Sequence, residues 1–343
     1  MQNRLKVFIK YPNKKSVFTI LKEVIILAIK KREIPYYYFK FLYRKDAKNF
    51  LEHLSLKEQQ KLQTHKKLHN PALTNAVNNK LFFALMSRLN NIKTPKLIGH
   101  NFYNSFFYNG QLHNLSTLTS AIKTFELIFN TENIEAIFVR PPADYGGRGC
   151  FKITAKNYKE ELKEKYHNTI VNGNFVFTEI IKQHELINKI HSNSLNTLRI
   201  ITVITQEGTT KIVAAIIRFG VGNSIVDNSA SGGFFVGINI NDGTLQKHGY
   251  YFPEYGGHLI TKHPDSNITF EGFKIPYFKE ACNTVINAVN YFPDRLIGWD
   301  IAITPNGPVI IEANTSPHLQ SMNMITNGFL QNKHIKSLLH EVD

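Results

Sequence analysis

Apolar positions along this chain change their spacing several times, and each change marks an element. Residues 17–29 are apolar at nearly every position, broken by Lys22 and Glu23, and read as a helix too short to span a bilayer. Pro35 breaks that first long helix, and aromatic and basic residues interleave over 36–45. Helical spacing returns over 79–89 and 117–129, with a turn into a short strand at 94–98 between them. Period two then takes over. Residues 136–141 read as a strand, small residues follow at 144–149, and a second strand covers 150–153. A charged helix over 158–166 leads to a strand over 175–181. Strands at 198–204 and 211–218 are joined by Gln206-Glu207-Gly208, and glycine and asparagine dominate 220–237. A short strand and turn at 237–243 and a helix at 277–291 come next.

The pattern ends in a hairpin. Residues 298–304 and 309–314 alternate as strands around Pro305-Asn306-Gly307-Pro308, a turn sequence. Asp300 lies on the first strand; Glu312 and Asn314 lie two apart on the second, on one side of the sheet. Pairing across the turn brings three hard oxygen donors together, a set suited to Mg²⁺ beside nucleotide phosphates. The plainer alternative is a solvated hairpin end. Val309-Ile310-Ile311 is a buried run, however, and Glu312 ends it with no Lys or Arg nearby in sequence. A carboxylate there needs a partner or a metal.

Composition sharpens the division of the chain. Its 343 residues are 43% hydrophobic, ample for two or three subdomains. The net charge of +15 is uneven: residues 1–70 hold 17 Lys/Arg against 5 Asp/Glu, a balance of +12, and the remainder carries only +3. A basic block of this kind suits an anionic membrane surface or an acidic polysaccharide; a solvated helical face is the alternative. Nucleic acid is not expected, because no nucleic-acid-binding fold follows, and the aromatics at 36–45 read better as packing. Cys150 and Cys282 lie outside any metal-binding or disulfide pattern, and the histidines do not fall at zinc-motif spacings, so the reducing cytoplasm is the expected compartment. No cleavage site follows the apolar segment, so no signal peptide is expected.

The loop Gly146-Gly147-Arg148-Gly149 is neither a P-loop nor a dinucleotide fingerprint, since no Gly-Lys-Ser/Thr and no helix follow it. Taken alone it is a plain hairpin turn. Its order with the cations is more telling: Lys80 opens a helix, Arg140 ends the strand before the loop, Glu179 stands on a later strand, and Asp…Glu-x-Asn lies far downstream. This order resembles the ATP-grasp superfamily. Asn196-Thr197-Leu198-Arg199, Val226-Asp227-Asn228 with Gly232-Gly233, and Gly298-Trp299-Asp300-Ile301 resemble its sugar-transfer-associated family, over roughly residues 75–330.

The resemblance implies an α+β fold in which two α+β subdomains clasp ATP, with a basic helical N-terminal extension. It divides the chain into a basic helical region (1–75), an N-terminal subdomain (76–135), a glycine-loop lid (136–183) and a C-terminal subdomain with the magnesium site (184–343). Lys80 and Arg140 would bind phosphates under the 146–149 loop, with Arg140 standing where these enzymes usually carry lysine. Glu179, Ile180 and Ile181 would meet adenine, and Glu185 the ribose. Asp300, Glu312 and Asn314 would hold Mg²⁺. Arg199 and Arg218 would face the carboxylate or acylphosphate, with Asn196, Asn228 and His258 as weaker substrate contacts. The implied chemistry is an ATP-dependent ligation of a carboxylate and an amine, in surface-glycan assembly. A sugar kinase shares every nucleotide residue, and a non-catalytic basic adaptor is the third class. Removal of residues 1–70 is expected to spare ATP turnover.

Overall fold

The computed structural model describes residues 4–343 except 144–147, 225–226, 228, 230–231 and 293. Two antiparallel sheets organise the chain. The smaller contains β1 (Leu97–Phe102), β2 (Ser105–Tyr108), β3 (Gln111–Asn114), β4 (Ala136–Arg140), β5 (Phe151–Thr154) and β6 (Asn174–Glu179), in the order β3-β2-β1-β6-β4-β5. The larger contains β7 (Leu198–Ile204), β8 (Thr210–Phe219), β9 (Phe234–Ile238), β10 (Leu245–Tyr250), β11 (Leu259–Ile260), β12 (Leu296–Thr304) and β13 (Gly307–Asn314), in the order β11-β10-β9-β8-β7-β12-β13. The expected strands 136–141, 150–153, 198–204, 211–218 and the terminal hairpin are all present. The β2–β3 hairpin and β10 were not anticipated. Their segments are short and mix His, Gln and Lys into the apolar pattern, which hides period two.

Helix Leu118–Glu132 and the helical run from Tyr158 to Val171 cover one face of the smaller sheet. Phe106, Phe125 and Phe177 meet edge-on or tilted at the centre of that core. Both faces of the larger sheet are covered, so all nine residues of β12 are buried. Helices Pro71–Asn78, Lys80–Leu89 and Phe278–Val289 lie with one face's core, which includes Trp299. On the other face, Tyr38, Leu42, Leu54 and Leu62 share a core with Ile201, Val203 and the C-terminal helix Lys333–Val342.

That second core corrects one expectation. The basic region is helical, as read, but it is no detachable arm. Leu27, Tyr38, Tyr43 and Leu54 are fully buried, and Arg44 is buried with its Nη1 donating to Gly257 O at 3.1 Å. Deleting residues 1–70 would strip a face of the central sheet.

Candidate active site

The floor of the site is built by three adjacent strands. Asp300 on β12 is in register with Arg199 on β7 and with Glu312 on β13. A bulge follows immediately, between Asp300 and Ile301, and such irregularities re-aim side chains at a sheet edge. Asn314 lies two residues beyond Glu312 and donates Nδ2 to Glu312 Oε1 at 3.3 Å. The anticipated trio is therefore contiguous on neighbouring strands. Asp300 is buried, and the Glu312 side chain is about one quarter exposed, at 24%.

Guanidinium forks surround Asp300. Arg199 donates through Nε to Oδ1 and through Nη2 to Oδ2, the latter at 2.8 Å, and Arg218 donates Nη2 to Oδ2 at 2.8 Å. Burial alone would raise the Asp300 pKa, but Arg199 and Arg218 outweigh it and hold the carboxyl below its usual range. Burial would conversely lower Arg218, but Asp227, Asp300 and Glu312 together raise it. Asp227 accepts from Thr197 N at 2.7 Å and Thr197 Oγ1 at 2.6 Å, and lies 3.5 Å from Arg218 Nε. Charges this deeply placed persist only because each has a partner.

Two buried cations approach Glu312 from other elements. Asn79 caps helix Lys80–Leu89 by accepting from Leu81 N and Phe82 N, which places Lys80 at its first position. Lys80 is buried, its Nζ lies 3.6 Å from Glu312 Oε2, and its backbone N–H donates to Pro142 O at 2.8 Å. Arg140, at the end of β4, is also buried and donates Nη1 to Ile311 O at 3.3 Å. Its buried Nε has no hydrogen-bond partner among the described residues. Burial pushes the Arg140 pKa down, partly opposed by Glu312. A buried guanidinium with an idle N–H is a donor built for an anion. Orphaned cationic N–H beside a carboxylate-amide set fits a metal-bound polyphosphate.

The profile of the sugar-transfer associated ATP-grasp family matches residues 59–337. The chain belongs to that family. No curated protein matches it. Among solved structures, the ATP-grasp ligase PsnB, complexed with a phosphomimetic variant of minimal precursor, Mg and ADP, is similar at 12% identity and a TM-score of 0.44, covering 79% of this chain and 60% of that one. The D-alanyl-alanine synthetase A of Vibrio cholerae O1 biovar eltor is similar at 14% identity and a TM-score of 0.46, covering 78% of this chain and 66% of the other. An N5-carboxyaminoimidazole synthase from Aspergillus clavatus, with ADP and 5-aminoimidazole ribonucleotide, is similar at 10% identity and a TM-score of 0.45, covering 78% and 53%. The chain thus spans about 60% of the length of the first of these.

Within this ATP-grasp chain the other anticipated residues fall in different places. Gly146, Gly147 and Asn228 lie outside the described residues. Arg148 is exposed beside them, and Gly149 has φ +68°, where a side chain would be strained. Glu179 ends β6, but its Oε1 accepts from Lys96 N at 2.9 Å, so the side chain braces the strand end. Ile180 is exposed and Ile181 half-buried just beyond it, and Glu185 is exposed at the first position of helix Glu185–Ile190. Asn196 is buried with its amide committed to His191 O, Ser194 O and Gln183 Oε1, and Gly220 N donates to its Oδ1. It shapes the loop under the site, and no donor of its amide is left for a substrate. His258 is exposed and stacks on Tyr251 at 4.2 Å, outside the Asp300 cluster.

Thr197 and Asp227 were missed as site residues, although both lie inside motifs that carried the family resemblance. Polar residues bound to a strand-end arginine leave no periodic signal. Gly298 was also missed: a Cβ there would sit 2.7 Å from Pro317 Cβ and 3.1 Å from Arg199 Cδ. A separate cluster brings His191 together with His263 and Asp265, which lie about 70 residues further along the chain. Asp265 Oδ2 lies 3.5 Å from His191 Nδ1. Both nitrogens of His263 are already engaged, Nε2 with Gly220 O at 3.1 Å and Nδ1 accepting from Asp265 N at 3.2 Å. That cluster pins the 220–222 turn and has only two donors to offer a cation.

Proposed function

We propose that this chain is an ATP-dependent carboxylate–amine ligase that activates a sugar carboxylate, such as that of a uronic acid, for joining to an amino acid or other amine in surface polysaccharide assembly. The observation that carries this reading is the pairing of two strand-end guanidinium groups on Asp300 next to Glu312, Asn314 and the under-bonded Arg140. One set of cations faces where phosphate would lie, and another faces where a carboxylate or acylphosphate would lie.

In this reading Lys80 and Arg140 bind the β- and γ-phosphates, with the 146–149 loop over them. The backbone at Ile180 and Ile181 meets the adenine edge, and Glu185 the ribose. Asp300, Glu312 and Asn314 would hold Mg²⁺, which when bound supplies charge neutralisation on the phosphates. The substrate carboxylate oxygen attacks the γ-phosphorus, and the bond to the ADP oxygen breaks. The amine then attacks the acyl carbon, loses a proton and displaces phosphate. Arg199 and Arg218 supply donors to the acylphosphate oxygens while Asp300 fixes their planes; positioning and charge account for the rate. The acidic glycan would be drawn by the +12 region. Cys150 and Cys282 form no disulfide, which suits the reducing cytoplasm.

The test is phosphate release with Mg-ATP across amino acids paired with uronic acids and their nucleotide-linked forms. Release that requires both a carboxylate and an amine supports ligation. Phosphate left on the sugar would make the protein a kinase. No binding of Mg-ATP, read as an unchanged melting temperature, would make it an adaptor.

A further inference from the structure

Helix Val17–Lys31 has two apolar faces. Ile20 and Leu27 point inward and are buried. Val17, Phe18, Leu21, Ile25 and Ile29 point outward, with Phe18 79%, Val17 75% and Ile29 70% exposed. At 100° per residue these five fall within one third of the helix circumference, a continuous stripe about 20 Å long at 1.5 Å per residue. Leu5 and Ile9, one turn apart on helix Arg4–Lys10, and Ile34 beyond the helix end are exposed as well. Burial of the inner face already holds the helix on the core, so the outer stripe is not needed for folding.

The charges around the stripe all have one sign. Lys6, Lys10, Lys22, Lys30 and Arg32 are exposed, and no acidic side chain pairs with them among the described residues. The acids that could neutralise this face are engaged inward: Glu23 with Lys15 and Tyr38, Glu58 with Lys31, and Glu33 with the backbone N–H groups of Leu56 and Lys57. A polyanion alone would use the cations and leave the apolar stripe in water. A second copy of the chain would bring the same positive face against itself. An apolar stripe with a cationic border matches the interface of an anionic bilayer, where the side chains enter the acyl boundary and the lysines reach the headgroups.

We infer that the outer face of helix Val17–Lys31, with Leu5 and Ile9, is a docking surface for an anionic phospholipid membrane. The protein lies on the bilayer through this face. The inference does not depend on which reaction the site performs.

Sedimentation of the full chain with phosphatidylglycerol vesicles tests it, with phosphatidylcholine vesicles as the comparison. The protein is expected to sediment with the anionic vesicles and to be released by high salt. Phe18→Glu with Ile25→Glu is expected to abolish binding while leaving the melting temperature and its response to Mg-ATP unchanged. Lys22→Gln with Lys30→Gln should weaken binding about 30-fold, from roughly a fivefold loss per cation. Failure of the wild type to bind anionic vesicles overturns the proposal. Vesicle binding that survives the Phe18 and Ile25 changes also overturns it. So does a dimer, seen by sedimentation velocity, that those changes split while vesicles leave the protein in solution.

Discussion

Asp300 and Glu312 face each other on paired strands, yet their substitutions are expected to diverge. Asp300 neutralises two buried guanidinium groups. Asp300→Ala leaves both uncompensated and should cost about 3–5 kcal/mol of stability by chemical denaturation. Glu312 has longer contacts with Lys80 and Asn314 and is partly open to solvent. Glu312→Ala should keep the fold to within about 1 kcal/mol and lose the Mg-ATP-induced rise in melting temperature. If the alanine variant at 312 unfolds, the residue belongs to the core. Gly298→Ala pushes a methyl into Pro317 and Arg199, an overpacking that should cost about 1–3 kcal/mol by chemical denaturation and lower phosphate release.

At the scale of elements, the segment between the N-terminal helices and the sheet carries a pH sensitivity. His53 is buried, its Nε2 lies 3.1 Å from Lys48 O, and its ring packs near Phe41. Burial pushes its pKa down to about 4, against the Lys48 carbonyl contact and aided by Lys15 and Lys31. Between that value and the ordinary one of roughly 6.5, the unfolded chain holds the proton that the folded chain refuses. The His53 contribution is thus complete above about pH 6.5 and is lost as pH falls toward 4, by about 3 kcal/mol at most. Urea midpoints at neutral and acidic pH should show this slope, and His53→Gln should flatten it. The sequence made some elements plain and others not. Strand β12, with nine buried residues, announces itself by apolar run and turn. The β2–β3 hairpin does not, because alternate residues at its exposed edge, such as Leu112, are apolar too and blur the period.

At the scale of the molecule, the composition pointed to a separable basic region, whereas packing makes that region part of the central core. The charge count reads the outward lysines and cannot see Tyr38, Leu42 and Leu54 behind them. Deletion of residues 1–70 should therefore give an insoluble chain or one lacking a cooperative transition; a soluble truncation that still responds to Mg-ATP would contradict the shared core. The residue types of the candidate site were readable because charged side chains ending buried strands are costly and conspicuous. Their partners, Thr197 and Asp227, were not, because hydrogen-bonded loop residues look ordinary in one dimension. No described helix is long and apolar enough to cross a membrane.

Arg140 spans the gap between the sheets by giving a hydrogen to Ile311 O, one residue before Glu312. The idle Nε of the same guanidinium can take an anion while Nη1 keeps its bond to that strand. In the proposed ligase, an anion bound at Arg140 would therefore sit one hydrogen bond away from the β13 backbone that carries Glu312.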